Sequence, residues 1–122
     1  MQLNFIANQS VPALAGQTID VLDPSDGQVF EQIPRSQAAD IDAAVQAARA
    51  AFNGPWGKLT AVERGRLLMK LSQKVSEHAA ELAALEQRDC GKPTKQAAAD
   101  SVALARYFEF YAGACDKLHG ET

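Results

Sequence analysis

Residues Leu82 to Thr94, LAALEQRDCGKPT, constrain the fold more than any other stretch. Leu82 and Leu85 sit one helical turn apart, so the first half reads as helix. Gly91-Lys92-Pro93 then stops it, because Gly takes the left-handed conformation that closes a helix and Pro cannot continue one. Thr94 offers a hydroxyl to cap a following helix. On local physics alone this is a helix-turn-helix joint, and the chain must place a helix on each side of it.

Before that joint the pattern changes twice. Residues 1–34 read as strands and turns. Leu3-Asn4-Phe5-Ile6 is short and partly alternating, and Gln9 to Gln17, broken by Pro12 and Gly16, reads as a turn or an edge. Thr18 to Leu22 and Gln28 to Ile33 are β-rich runs around Asp23-Pro24-Ser25-Asp26-Gly27, a turn by composition. Two such runs predict a β-hairpin, which needs something to pack on. Residues 36–53 then read as helix, with Ser36 as cap, Asp40 and Asp42 favoured near its start, and one apolar stripe of Ile41, Ala44, Val45, Ala48 and Phe52. Trp56 to Leu59 reads as a connecting loop. Thr60-Ala61-Val62-Glu63 is a capping box opening a helical stretch over 60–89, with Leu67, Leu68, Leu71 and Val75 on its stripe. Ser76-Glu77-His78 marks a break within it.

The final helix is predicted over 94–118, with Ser101, Leu104, Phe108, Tyr111, Cys115 and Leu118 in register. Tyr107 and Phe110 fall off that stripe. Four aromatics in five positions cannot face one side, so this helix is expected to be buried on more than one side. The remaining segments supply one modest layer, which implies that packing partners lie outside the chain. Composition agrees. Of 122 residues, 23 are Ala and 34 are larger apolar residues, so the hydrophobic content of 47% promises only a thin core in at most one domain.

Several function classes are excluded. A net charge of −3 with scattered basic residues argues against nucleic-acid binding. No stretch approaches the roughly 20 apolar residues that span a bilayer, and MQLNFIANQS lacks the pattern of a secretory signal. Two cysteines, Cys90 and Cys115, make no disulfide scaffold and suit a reducing, cytoplasmic compartment. Cys90 has no His placed beside it and is not read as a nucleophile; Cys115 reads as a small core residue. His78 and His119 belong to no cluster. There is no G-x-G-x-x-G and no Walker-type loop, so no cofactor-binding residue is assigned and nothing here should bind NAD by itself. Arg64 and Arg66 read as helix anchors or solvent-facing charges.

Four stretches together resemble the N-terminal region of the NAD(P)-dependent aldehyde dehydrogenase superfamily. These are Leu85-Glu86-x-x-Asp89-x-Gly91-Lys92-Pro93, the turn Asp23-Pro24-Ser25-Asp26-Gly27, Arg64-Gly65-Arg66-Leu67-Leu68, and Tyr107-Phe108-x-x-Tyr111-Ala112-Gly113-x-x-Asp116-Lys117-x-x-Gly120. They agree in order and spacing over nearly the whole chain. Asp23 stands where relatives usually have Asn, which keeps an acceptor but removes two donors.

The resemblance implies an α/β, aldehyde dehydrogenase-like fold. This segment would be the N-terminal part of its dinucleotide-binding domain, mostly α-helical with an N-terminal β-hairpin. The family oxidises an aldehyde to a carboxylate with NAD⁺ or NADP⁺, using a cysteine nucleophile and a glutamate base. In the family these and the cofactor's glycine-rich turn lie beyond the position matching Thr122. No catalytic residue is therefore expected here, and the segment alone is expected to be an inactive piece. Its partners would be the remainder of the dehydrogenase chain and, by analogy, further copies in a homo-oligomer. The resemblance also implies a monovalent cation site, for Na⁺ or K⁺, with Asp89 and the backbone carbonyls of Val21 and Leu22 as ligands. The alternative for Asp89 is a helix-end carboxylate bonding the Gly91-Lys92 backbone. The alternative for the whole chain is a free-standing helical module that binds a partner through Tyr107 to Tyr111.

Overall fold

The first two strands, β1 (Asn4–Ile6) and β2 (Gln9–Val11), pair antiparallel with Ile6 opposite Gln9. Only Ala7 and Asn8 join them, at φ 52° and 63°. Two successive left-handed residues make the tight turn whose twist matches a hairpin. A non-glycine pair gives little sequence signal for that turn, so the stretch expected to be a turn or an edge supplies an additional hairpin.

The expected hairpin follows as β3 (Thr18–Leu22) and β4 (Val29–Pro34), with Ile19 opposite Ile33. Its register shifts between Val21, opposite Glu31, and Leu22, opposite Val29, making Phe30 the extra residue of a bulge. Asp23 Oδ1 accepts from Ser25 N at 2.9 Å and Ser25 Oγ at 2.6 Å. Both bonds need only an acceptor, which the Asp carboxylate supplies.

The helix after the hairpins, α1 (Ala38–Asn53), starts two residues later than expected, and Ser36 does not cap it. The Ser36 hydroxyl exchanges hydrogen bonds with the Asn4 side chain. Asp40 does the terminal work instead. Its carboxylate accepts from Gln37 N at 2.8 Å, inside α1's own N-terminus, and from Leu14 N at 2.8 Å, beyond β2. One short side chain thus ties α1 to the hairpin region. The Ile41–Phe52 stripe forms, but its large members are exposed. The expected loop at Trp56 is a single helical turn, α2 (Pro55–Lys58).

The computed structural model describes residues 1–121, and everything above lies in one of two compact units, Met1–Lys58; the second begins at Leu59. In the second unit the stretch expected to be helical over 60–89 is two helices, α3 (Ala61–Glu77) and α4 (Ala79–Cys90), parted at His78. Thr60 and Glu63 form the predicted capping box, with Thr60 N donating to Glu63 Oε2 at 2.7 Å and Glu63 N to Thr60 Oγ1 at 3.3 Å. The last helix, α5 (Thr94–Ala114), stops four residues short of the expected end.

α5 packs against both α3 and α4, in a register that keeps Ser101 of the predicted stripe buried and turns Leu104 and Tyr111 outward. Its buried residues are Ala97, Ser101, Ala105 and Ala112, while Leu104, Tyr107, Phe110 and Tyr111 are exposed. On α3 the buried residues are Gly65, Ser72 and Val75, rather than Leu67 and Leu71. The reason is close approach. A Cβ on Gly65 would lie 2.6 Å from the Ala112 carbonyl oxygen, and Ser72 Oγ donates to Ala105 O at 2.8 Å. Small residues let the two backbones meet, and the larger ones are turned outward.

Candidate functional site

The joint between α4 and α5 gathers the residues that the sequence singles out. α4 closes on Gly91 at φ 70°, with Gly91 N donating to Gln87 O at 2.9 Å. This is the left-handed closure that Gly adopts without the Cβ penalty of other residues. Pro93, not Thr94, is the cap of α5, and its carbonyl accepts from Gln96 N and Ala97 N at 2.9 and 3.0 Å. The Thr94 hydroxyl lies 2.9 Å from Gln87 Oε1 and donates to it across the joint.

Lys92 is the electrostatic centre of this turn. Its Nζ donates to Asp100 Oδ2 on α5 at 2.7 Å and to Glu86 Oε1 on α4. The Lys92 side chain is only 24% exposed. The hydrogen bond to Asp100, then that to Glu86, raises the ammonium well above the usual lysine range against the opposing cost of burial. A lysine so held stays charged and gives up no proton near neutral pH, so Lys92 is an anchor between helices rather than a base or nucleophile. Sequence reasoning left Lys92 without a task. The spacing of Glu86 and Lys92 across a glycine turn hinted at one partner, but Asp100 becomes a partner only when α5 folds back on α4.

Asp89 lies in the last turn of α4, exposed, and its carboxylate has no hydrogen-bond or ion-pair partner among the described residues. The alternative in which it bonds the Gly91-Lys92 backbone is not realised. Thus Glu86, Gly91 and Lys92 of the motif build the joint, and Asp89 is left over as a hard oxygen donor of the kind alkali cations accept. Val21 and Leu22 lie in β3, in the other unit, at the register shift. No group of three or more His, Cys, Asp or Glu that could hold a metal ion occurs among the described residues.

The thiols are unremarkable in their surroundings. Cys90 Sγ donates to Glu86 O at 3.1 Å and Cys115 Sγ to Tyr111 O at 3.2 Å, ordinary i−4 contacts within a helix. Both are free cysteines. His78 Nδ1 lies 2.9 Å from Glu81 Oε2 at the start of α4, a surface pair. Phe110 and Tyr111 meet edge to face, centroids 5.3 Å apart, on the outer side of α5. No helix is long and apolar enough to cross a membrane among the described residues.

Comparison with known proteins gives this arrangement its context. The profile of the aldehyde dehydrogenase family matches residues 11–122. Over 97% of its length the chain is 44% identical to aldehyde dehydrogenase family 2 member B4, mitochondrial, of Arabidopsis thaliana, of which it covers 22%. A Burkholderia cenocepacia protein assigned as an aldehyde dehydrogenase superposes with a TM-score of 0.95 at 61% identity, covering 98% of this chain and 25% of that one. The NAD-dependent aldehyde dehydrogenase of Sinorhizobium meliloti superposes with a TM-score of 0.94 at 34% identity, over 98% of this chain and 24% of that one. The chain therefore spans about a quarter of the length of the proteins it matches, in the same local fold. By its profile match and these likenesses, the chain belongs to the aldehyde dehydrogenase family.

Proposed function

We propose that this chain is the N-terminal part of the dinucleotide-binding domain of an NAD(P)-dependent aldehyde dehydrogenase, and that it is inactive by itself. The observation that carries the reading is the family match over residues 11–122 at only about a quarter of its relatives' length. The complete enzyme would oxidise an aldehyde to a carboxylate, with the nicotinamide cofactor accepting the hydride. The segment's own contribution is scaffold: its thiols lie in ordinary helical contacts, its best-placed lysine is locked in an ion-pair node, and its sequence has no phosphate-cradling loop. Further copies of the complete chain would form a homo-oligomer, in the cytoplasm, where two unpaired cysteines stay reduced.

Asp89 is proposed as an oxygen ligand for Na⁺ or K⁺ in that enzyme, supported by its unpartnered, exposed carboxylate. The Val21 and Leu22 carbonyls are proposed as ligands on their own local geometry, since a bulge turns backbone groups out of a regular ladder.

The test of the main reading is the intact mass and activity of the native product in its cell of origin. A mass several times 13.1 kDa, with aldehyde-dependent formation of NADH or NADPH, is the expected result. A native product of 13.1 kDa that forms a stoichiometric complex through α5 would replace it with the free-standing module. For the cation, Asp89→Asn in the complete enzyme should abolish any dependence of its melting temperature on Na⁺ or K⁺; undiminished dependence removes Asp89 from the site.

A further inference from the structure

The corner between α1 and α2 is built so that an exposed asparagine is followed by glycine. Pro55 pushes the residue before it out of the helical region, and Gly54 stands extended at φ −95° and ψ −150°, so α1 ends at Asn53. Gly54 N donates to Ala51 O, three residues back, at 3.2 Å, the long end of the hydrogen-bond range. A Cβ at position 54 would lie 2.8 Å from the Ala50 carbonyl oxygen, so packing itself favours glycine there. Asn53 is exposed, and no hydrogen bond holds its side-chain amide among the described residues.

From this corner we infer that Asn53 is a site of spontaneous deamidation, its side-chain amide attacked by the backbone nitrogen of Gly54. Gly54 N loses its proton to hydroxide and bonds to Asn53 Cγ, closing a five-membered succinimide. The bond from Cγ to Nδ2 breaks, and Nδ2 leaves as ammonia with a proton returned by water. Water then opens the ring at either carbonyl, giving Asp or isoaspartate. In sum one water is consumed and one ammonia released, with no oxidation or reduction. Glycine has no Cβ to crowd the attacking nitrogen. Asn53 must leave its helical ψ for the attack, and a helix end frays at little cost. Other positions lack one of these features. The Asn4 amide exchanges hydrogen bonds with Ser36 and precedes Phe5, and Asn8 precedes Gln9. Asp26 precedes Gly27, but its side chain is a carboxylate, a poor electrophile, and accepts from Gln28 N at 2.9 Å. The product at Asn53 places a negative charge at the C-terminus of α1, the end of the dipole that disfavours it, with no basic residue in the last turn. Isoaspartate also adds a backbone carbon between α1 and α2, which pack together.

The experiment incubates the complete native protein, folded and in guanidinium chloride, at pH 6 and pH 8, and maps its peptides by mass spectrometry. The peptide carrying Asn53 should gain about 1 Da and split into an Asp and an isoaspartate form. The gain should be more than about tenfold faster at pH 8 than at pH 6, because the attacking amide must ionise. Asn4 and Asn8, followed by residues with a Cβ, should react at least about tenfold more slowly. Asn53→Gln, whose ring would need six members, should remove the gain from this peptide over the same time. The folded rate should lie within about tenfold of the rate in denaturant, as low-cost fraying requires. A slower folded rate would mean that the fold protects Asn53, and would overturn the inference. A gain that persists in Asn53→Gln would overturn it equally, by placing the reaction elsewhere.

Discussion

Asp40 shows how much a single side chain carries in the first unit. It is the buried carboxylate of α1, 5% exposed, and both its oxygens are taken by backbone N–H groups. Those bonds favour the charged form. The N–H of Gln37 lowers the carboxyl's pKa most, the N–H of Leu14 next, and burial opposes them. A folded pKa below the unfolded value gives stability that is present above the unfolded pKa of about 4 and drains away as pH falls through the folded value. Asp40→Asn keeps one acceptor but turns an NH₂ toward the second N–H. Its melting temperature should lie several degrees below that of the unsubstituted protein at pH 7, and the gap should narrow as pH falls below about 4. Thermal melts followed by circular dichroism at pH 7 and pH 3 read both ends. A gap that is the same at both would mean that the charge contributes nothing.

At the scale of elements, α3 and α5 are the decisive pair, and two glycines make a matched test of why. A Cβ on Gly65 would meet the Ala112 carbonyl oxygen at 2.6 Å, and backbone cannot swing aside. Gly113, one residue from that contact, has nothing within 4 Å of its would-be Cβ. Gly65→Ala should therefore cost about 1–3 kcal/mol by overpacking. Gly113→Ala should gain up to about 1 kcal/mol from helix propensity. Urea unfolding of the two variants decides it, and equal effects would dismiss close approach as the constraint. The same contact explains what was legible in the sequence. Period and punctuation located β3, the capping box at Thr60 and the closure at Gly91, because each rests on local chemistry. The register of α5 was misread because large residues were weighted over the small ones, and Gly65, Ser72 and Ala105 become an interface only when two helices meet. The joint divides in the same way. Its closure at Gly91 was legible from its motif, whereas Lys92's anchoring role depends on Asp100, which sits eight residues away on another helix.

For the whole molecule, the core and the surface are mismatched. The buried apolar residues among those described are Ala13, Val75, Ala83, Ala97, Ala105 and Ala112, and no large side chain is fully buried. The accessible surface is 9200 Å². A folded monomer of 13.1 kDa should expose about 6,400 Å², and even two separate bodies of half that mass would expose about 7,700 Å² together. The excess therefore does not depend on how the two units are arranged. It lies in large apolar side chains such as Phe52, Tyr107, Phe110 and Leu118, which are 65–86% exposed. On α5, Tyr107, Phe110 and Tyr111 are exposed together, with Phe110 and Tyr111 in contact; an apolar face of this kind marks an interaction surface, and the cover we propose for it is the remainder of an aldehyde dehydrogenase chain. The 122-residue segment produced alone should accordingly bind a hydrophobic dye, self-associate and melt broadly. Produced together with the remainder of a complete dehydrogenase, it should lose dye binding and join a monodisperse species. Phe110→Ser with Tyr111→Ser should reduce dye binding by the isolated segment and weaken its association with the remainder. A monodisperse isolated segment with a sharp melt and no dye binding would contradict the scaffold reading. The exposed face of α5 would then be the working surface of a self-sufficient module.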